Sequence, residues 1–450
     1  MTGLSDFAGR KVGVLGLARS GLAAARALAA AGAEVLVYDD RPEAVAATPF
    51  RAGMPADIAG LSLLVPSPGV PLTHPRPHPL IAAAKAAGTE IRGDVDLFAT
   101  TIGERPVVGI TGTNGKSTTT ALIHHLLLAA GVDAALGGNI GKPVFDLAPG
   151  PPGRVFVLEL SSYQLDLCHD LRCRVAVWLN LTPDHLDRHG DLAGYVAAKE
   201  HIFALQSGDD IAVVGIDDQP SREVAEKLRR RGRVVRRVSL DGQPEAWASI
   251  RGGRLFEGAD ELIDLRELTN LRGRHNWQNI AVAYTAVRAL GLGRAEALVG
   301  LPTFHSLPHR MEEVARVGHV VWVNDSKATN PDSAEKSLSS YERIFWIAGG
   351  KPKPGGFRSL RPALAGVQAG YLIGMAAAEI EADLGDLAPM HRVGTLDAAV
   401  GAASAAARSA AGGEAAVLLA PACASFDQFA NFEARGDAFR ALARAEAGVP

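Results

Sequence analysis

Short apolar runs that end in glycine or a polar turn, and then lead into helix-compatible stretches, recur along this chain. The first is Lys11-Val-Gly-Val-Leu-Gly; an Ala-rich stretch follows it, then a second run, Glu34-Val-Leu-Val-Tyr-Asp-Asp. Strand, helix and strand in that order predict a βαβ start. A second block opens on Pro106-Val-Val-Gly-Ile-Thr-Gly-Thr-Asn-Gly-Lys-Ser, predicts a helix over 118–130, and continues with buried-strand candidates at 155–160, 175–179 and 211–214. A third block begins after Leu307, with strand candidates at 320–323, 344–348, 370–373 and 416–419 and an Ala-rich, helix-compatible run at 398–411. Strands alternating with helices imply parallel sheets covered on both faces. The expected fold class is α/β, with three domains, each a mainly parallel sheet with flanking helices. Linker-like segments at 98–106 and 301–308 set the expected domains at 1–97, 98–306 and 307–450. Residues 216–270 are charged and weakly patterned, and no element is predicted there.

Composition narrows the class. A chain of 450 residues is too long for one ordinary core, and 47% apolar with 21% charged residues is a normal globular balance. A net charge of −3 offers no electrostatic reason to expect nucleic acid or an anionic membrane as partner, though a local cluster of donors would still hold an anionic small ligand. Cys168, Cys173 and Cys423 are too few for a disulfide framework and match no common metal spacing, which predicts buried thiols in a reducing compartment. The first residues lack the basic-then-apolar pattern of a signal peptide, and no apolar run reaches membrane-spanning length. A cytoplasmic protein without membrane insertion is expected.

The strongest local signal is Gly109-Ile-Thr-Gly-Thr-Asn-Gly-Lys-Ser-Thr. A strand delivers the chain into a Gly-rich turn and a helix starts at once, so backbone N–H groups and the helix N-terminus converge on a phosphate-sized site. Gly112, Thr113, Asn114, Gly115 and Thr118 belong to that turn and the helix start. Lys116 is placed for terminal phosphates, and the Ser117 hydroxyl suits Mg²⁺. The position six before the lysine is Ile110 rather than glycine, so the loop is a variant of the pattern.

Gly16-Leu-Ala-Arg-Ser-Gly21 follows the first strand, and Asp39 and Asp40 end the second. This is a dinucleotide-type fingerprint with Ala18 in place of the central glycine. It reads as a nucleotide-binding domain whose acidic pair can bond a ribose or a base. The Ser67-Pro-Gly69 turn either offers N–H groups to the same ligand or is a plain loop.

Glu159, in Leu158-Glu-Leu-Ser-Ser-Tyr-Gln-Leu165, and His185, in Asn180-Leu-Thr-Pro-Asp-His-Leu-Asp-Arg188, lie near predicted strand ends beside the phosphate loop. A carboxylate and a histidine in that setting can hold a divalent cation; a structural histidine is the alternative. In the third block, Asn324-Asp-Ser-Lys-Ala-Thr-Asn330, Gly349-Gly-Lys-Pro-Lys-Pro-Gly-Gly356 and Ala420-Pro-Ala-Cys-Ala-Ser-Phe-Asp-Gln428 are polar strand-end loops that together read as one side of a substrate cleft.

Taken together with Gly273-Arg-His-Asn276 and Leu307-Pro-His-Arg310, these motifs resemble the Mur ligase family from about residue 10 to the C-terminus. The Gly–Lys loop is shared across that family, whereas Ser-Ser-Tyr-Gln and Ala-Cys-Ala-Ser-Phe-Asp-Gln point to the branch that adds D-glutamate. The resemblance implies a Rossmann-like N-terminal domain, a P-loop ATPase-like central domain and a Rossmann-like C-terminal domain. It also implies an ATP-dependent ligase that adds D-glutamate to UDP-N-acetylmuramoyl-L-alanine in peptidoglycan precursor synthesis, working as a monomer on small-molecule partners.

By position, the resemblance puts Leu15, Gly16, Arg19, Asp39, Asp40 and Ser67 on the UDP moiety, and Asn139 and Ser161 on the rest of that substrate. Ser117 and Glu159 would hold one Mg²⁺, and His185 and Lys199 a second. The lysine matching Lys199 is carbamylated in the family, which turns a cation into an oxygen ligand for Mg²⁺. Asn276, Asn279, Arg310 and Asp325 would contact ATP. Lys327, Thr329, Lys353, Ser425, Phe426 and Phe432 would surround D-glutamate or the transferred phosphate. Lys116, His185, Lys199 and Lys327 form the expected catalytic set. Two departures stand out. The Gly349 loop carries both Lys351 and Lys353, of which spacing favours Lys353 for D-glutamate, and Tyr163 stands where phenylalanine is common.

The implied chemistry begins with a carboxylate, a poor acyl donor because oxide would have to leave. Phosphoryl transfer from ATP gives an acyl-phosphate, and the amine of D-glutamate displaces phosphate; His185 or a metal-bound group is the candidate base. Domain closure is expected to keep water away. The rivals are an NAD(P)-dependent oxidoreductase, which leaves the phosphate loop unexplained, another ligase of the same fold with a different amino acid, and a nucleotide sensor without turnover.

Overall fold

The computed structural model describes residues 3–268 and 270–449. Within them the chain forms two compact units. One runs to Leu265 and includes Gln278–Leu301; the other is Arg266–Trp277 with the chain from Pro302 on.

The first unit contains two sheets. Strands β1 (Lys11–Leu15), β2 (Glu34–Tyr38), β3 (Arg51–Ala52), β4 (Leu63–Pro66) and β5 (Glu90–Ile91) pair in parallel in the order β3-β2-β1-β4-β5. Successive side chains on a strand point to opposite faces, so an unbroken apolar run covers both. Val12, Val14, Val37 and Val65 face Ala24, Ala25 and Leu28 of the helix Arg19–Ala30. Leu15, Leu36 and Leu64 face Ile81 and Ala84 of the helix Pro79–Ala87. The expected βαβ start is present.

The second sheet has nine strands: β6 (Val107–Thr111), β7 (Ala134–Gly138), β8 (Val155–Glu159), β9 (Val175–Trp178), β10 (Ile211–Gly215), β11 (Val234–Ser239), β12 (Ala248–Arg251), β13 (Arg254–Glu257) and β14 (Asp260–Asp264). Their order is β14-β13-β12-β11-β10-β9-β6-β8-β7. The strands β7 to β12 of this order pair in parallel, and β12-β13-β14 is an antiparallel meander. From β6 the chain builds one side of the sheet, β8 and β7, and then crosses to β9 on the other side. Such a reversal opens a crevice at the carboxyl ends of the strands, where α/β proteins bind ligands.

The expected helix over 118–130 is Lys116–Ala129. It starts earlier because Gly115, at φ 83, caps it directly. Residues 216–270, where nothing was predicted, hold the helix Gln219–Arg230, β11 and the meander. The meander strands are only partly buried, so their polar residues hid the period of two.

The second unit is built on one sheet: β15 (Glu312–Val317), β16 (Val320–Asn324), β17 (Ile344–Gly349), β18 (Val367–Ile373), β19 (Met390–Gly394) and β20 (Ala415–Leu419). The order is β15-β16-β20-β17-β18-β19, with β15 alone antiparallel to its neighbour. The Ala-rich run forms the helix Leu396–Ser409, and its Ala399, Ala403 and Ala407 pack on Trp322, Phe345 and Val417 with the helix Phe432–Ala447. The fold is α/β with mainly parallel sheets in three domains, as the apolar runs predicted.

Candidate active site

The phosphate loop leaves β6 at the crevice of the central sheet. Gly112 (φ 151) and Gly115 (φ 83) both lie where a side chain is strained, and a Cβ on Gly115 would collide with Asn279 Oδ1. The loop is fixed from the next strand over: Thr113 N donates to the Asn180 carbonyl (3.0 Å) and Asn114 N to Asn180 Oδ1 (2.9 Å). Asn180 in turn donates to Gln278 Oε1 at 3.0 Å. Lys116 Nζ donates to the carbonyls of Gly112 (3.0 Å) and Thr113 (2.8 Å), so the ammonium lies against the turn. Ser117 is buried at the helix start, and the Thr119 hydroxyl donates to Asn279 Oδ1 at 3.1 Å.

Behind the loop is a second lysine. Lys199 is 1% exposed, and its Nζ donates to the Gly112 carbonyl (2.9 Å) and to Thr111 Oγ1 (3.2 Å). Burial pushes its pKa well below the usual lysine value, and Lys116 pushes it further, against the pull of Asp184 and Glu159. Glu159 ends β8 almost fully buried. Its Oε1 accepts from Asn139 Nδ2 at 2.7 Å, while Oε2 has no hydrogen-bond partner among the described residues. A buried carboxylate oxygen without a donor is costly, and a hard cation is the ligand that such an oxygen suits. The Glu159 carboxylate and the Ser117 hydroxyl are oxygen donors of the type that Mg²⁺ takes.

His185 takes a left-handed backbone, φ 52, at the start of the short helix Leu186–His189. Its Nδ1 is hydrogen-bonded to the Tyr163 hydroxyl at 2.8 Å, and its Nε2 lies 3.5 Å from Asp184. Burial lowers its pKa; Asp184 opposes this, and Lys116 and Lys199 reinforce it. The neutral imidazole is therefore favoured over its charged form.

The N-terminal sheet and the central sheet frame a cavity of about 400 Å³. Of the expected UDP-substrate residues, Gly16, Arg19, Asp39, Ser67 and Asn139 line it. Asp39 is held by the Leu17 N–H (2.7 Å) and by Arg41, and Ser67 donates to the Gly16 carbonyl at 2.7 Å. Leu15 is buried in β1, Asp40 pairs with His78, and Ser161 caps the helix Ser162–Leu165; these do not line the cavity. Arg41 and Gln164 line it and were missed. Arg41 adjoins the acidic pair that drew the reading, and Gln164 sits inside a quoted motif, so position was the available signal.

In the second unit, Asp325 follows β16 and is buried, with Ser337 donating to it. Burial raises its pKa to about 6. Lys327 Nζ stands 4.0 Å above the Phe432 ring, and Thr329 N donates to the Lys327 carbonyl at 2.7 Å. Lys351 is tied through its backbone to Ala424 by bonds of 2.8 and 3.1 Å, whereas Lys353 is exposed beyond it. Ser425 is buried and Phe426 is 69% exposed. Asn276 bonds the Arg272 carbonyl at 2.7 Å and lines a cavity of about 200 Å³ with Asn270, Met311 and Tyr341. Asn279 belongs to the first unit, beside the phosphate loop.

Among the described residues, the non-glycine positions with left-handed backbone are His185, His309, Met311 and Ala422. All four lie in or beside the quoted motifs, two of them flanking Arg310. Local strain of this kind persists where surrounding structure enforces it, and it clusters at functional sites.

A phosphate loop, a buried cation-seeking carboxylate and a nucleotide-sized cavity on mainly parallel sheets define a P-loop nucleotide-dependent enzyme. The Mur ligase middle domain matches residues 110–287, and the Mur ligase glutamate ligase domain matches residues 309–423. A UDP-N-acetylmuramoylalanine--D-glutamate ligase of Chelativorans sp. (strain BNC1) is 48% identical over 99% of this chain and 97% of its own. The protein of that name from Phenylobacterium zucineum (strain HLK1) is 49% identical over 98% and 97%. Among solved structures, UDP-N-acetylmuramate-alanine ligase MurC from Thermotoga maritima shares the fold, with a TM-score of 0.60 and 17% identity over 97% of this chain and 99% of that one. The chain belongs to the Mur ligase family.

Proposed function

We propose that this chain joins D-glutamate to UDP-N-acetylmuramoyl-L-alanine, using ATP and passing through an acyl-phosphate, in peptidoglycan precursor synthesis. The observation that carries the reading is near-half identity, over essentially the whole chain, to ligases named for that reaction. The domains are 1–97 for the UDP substrate, 98–306 for ATP and 307–450 for the amino acid. The protein works as a cytoplasmic monomer without nucleic acid; no helix among the described residues is long and apolar enough to cross a membrane.

The cavity at Gly16, Arg19, Asp39, Ser67 and Asn139 binds the UDP substrate. The turn at 112–118 binds the ATP phosphates through its N–H groups and Lys116, and Asn276, Asn279, Arg310 and Asp325 bind elsewhere on the nucleotide. Ser117 and Glu159 hold one Mg²⁺; His185 and Lys199 hold a second. Bound there, Mg²⁺ offsets the repulsion between phosphate and carboxylate. Burial disfavours the charged form of Lys199, which makes its amine more available to CO₂: the N–C bond forms as one C=O π bond opens, a proton leaves the nitrogen, and the carbamate supplies an oxygen donor of the type Mg²⁺ takes. Lys116 and Lys327 stabilise negative charge on the transferred phosphoryl group. Thr329, Lys353, Ser425, Phe426 and Phe432 surround D-glutamate and turn its amine toward the acyl carbon.

The test is phosphate release from ATP with Mg²⁺, UDP-N-acetylmuramoyl-L-alanine and each glutamate enantiomer in turn. Release is expected with the D form only; equal release with the L form overturns the substrate assignment.

A further inference from the structure

Arg435, on the helix Phe432–Ala447, is 1% exposed. A buried guanidinium is ordinarily paired with a carboxylate. Here its hydrogen bonds go to neutral groups. Nε donates to Ser326 Oγ (3.0 Å), Nη2 to the carbonyls of Ser326 (2.9 Å) and Cys423 (3.1 Å), and Nη1 to the carbonyl of Gly349 (3.4 Å). No carboxylate among the described residues forms an ion pair with it. Burial lowers its pKa to about 10, which still leaves it charged at neutral pH.

The three anchor points belong to the three strand-end loops of this unit. Ser326 stands between Asp325 and Lys327, Cys423 shortly before Ser425, and Gly349 just before Lys351 and Lys353. Ser326 Oγ also donates to the Phe432 carbonyl at 2.8 Å, which ties in the ring beneath Lys327. An apolar side chain of similar volume would hold this helix at lower cost than a buried guanidinium that Asp427 attracts only from beyond ion-pair distance. Such a cost is retained where it serves a ligand. An amino acid with two carboxylates is the ligand whose charge the guanidinium complements.

We infer that Arg435 is the positioning residue of the amino-acid site: one buried guanidinium sets the relative places of the loops carrying Lys327, Lys353 and Ser425, and its charge at their base favours a dianionic side of the acceptor. This rests on the reading that the acceptor is D-glutamate.

The experiment compares the full-length protein with its Arg435→Met, Arg435→Lys and Ser326→Ala variants, measuring KM separately for D-glutamate, ATP and the UDP substrate, with thermal melting alongside. Arg435→Met is expected to raise the D-glutamate KM by about tenfold or more, with the UDP-substrate KM within about twofold; Arg435→Lys, which keeps the charge but not the fork of donors, falls between. Ser326→Ala leaves Arg435 in place, removes one acceptor and is expected to raise the same KM about threefold. Should the Arg435 variants fail to fold, the Ser326→Ala result decides. A D-glutamate KM unchanged in the folded variants, or all three constants moving together, overturns the inference. Failure of the functional reading itself appears separately, as wild-type phosphate release that does not depend on D-glutamate.

Discussion

The Nζ of Lys199 lies 2.9 Å from the carbonyl oxygen of Gly112, so the phosphate loop rests on a buried amine. Burial pushes that amine well below the lysine value of 10.5. The unfolded chain keeps its proton up to 10.5, while the folded chain gives it up earlier. Between those two values the unfolded state binds more protons, so stability rises with pH across the window. Measured by thermal melting in CO₂-free buffer, wild type should gain on Lys199→Met steadily as pH is raised toward 10.5. A difference that stays flat with pH would show the amine to be charged in the folded state. With ¹³C-bicarbonate, a carbamate resonance is expected in wild type and not in the variant.

Lys116 donates to its own loop's carbonyls at 2.8 and 3.0 Å, and an ammonium so placed is poised to exchange those partners for phosphate oxygens. Lys116→Ala is expected to lower kcat by about 100- to 1,000-fold, the range for losing one preorganised group at a site of developing charge. Affinity for the UDP substrate should stay within about twofold, since other residues build that cavity. Phosphate release and calorimetric titration give the two numbers. Turnover near wild type would remove the lysine from the phosphate site.

Glu159 carries one oxygen bound by Asn139 at 2.7 Å and one with no donor among the described residues. Leaving such an oxygen unsatisfied costs about 1–3 kcal/mol, and a bound cation recovers it. A ligand at 100 times its Kd stabilises a fold by about 2.7 kcal/mol. Wild type should therefore melt at a higher temperature with Mg²⁺ and a non-hydrolysable ATP analogue than with chelator. Glu159→Gln should keep its metal-free melting temperature and lose most of that rise. An undiminished rise in the variant would mean that the cation lies elsewhere.

How much of this was legible depended on how each residue makes its contacts. The buried strands of the parallel sheets declared themselves, because a strand covered on both faces must be apolar at nearly every position, as Val155–Glu159 and Ile344–Gly349 are. The meander Ala248–Asp264 did not, because only part of each strand is buried and its polar residues read as loop. In the site, glycines and a lysine at fixed spacing announced the phosphate loop, since that chemistry is local. Lys199 had no such signal: it follows Ala-Ala on a helix, and only tertiary packing buries it under Gly112. Arg435 and Asn180 were illegible for the same reason, since each acts through backbone groups of segments remote in sequence. Tyr163 was noticed for its hydroxyl, but the partner of that hydroxyl lies 22 residues away.

That partner is His185, at 2.8 Å, with the two rings 4.9 Å apart and the Arg188 guanidinium 4.9 Å from the centre of the Tyr163 ring. The bond engages Nδ1, while Nε2 lies 3.5 Å from an Asp184 carboxylate oxygen. A histidine with one ring nitrogen so engaged is held in a single orientation, as metal-binding histidines commonly are. Tyr163→Phe removes the hydroxyl and keeps the ring, its contact with His189 and its place beneath Arg188. The imidazole is 45% exposed, so water can replace the lost partner, and the melting temperature should move little. Orientation is the quantity at risk. One hydrogen bond of this kind is worth about 0.5–1.5 kcal/mol, so kcat is expected to fall about threefold to tenfold. The D-glutamate KM should be unchanged, because the residues proposed for that substrate lie in the other unit. Steady-state kinetics over a range of Mg²⁺ concentrations separates the outcomes: a lower kcat with a raised Mg²⁺ requirement marks His185 as a ligand that the tyrosine holds in place, and kinetics identical to wild type would reduce the hydroxyl to a bystander.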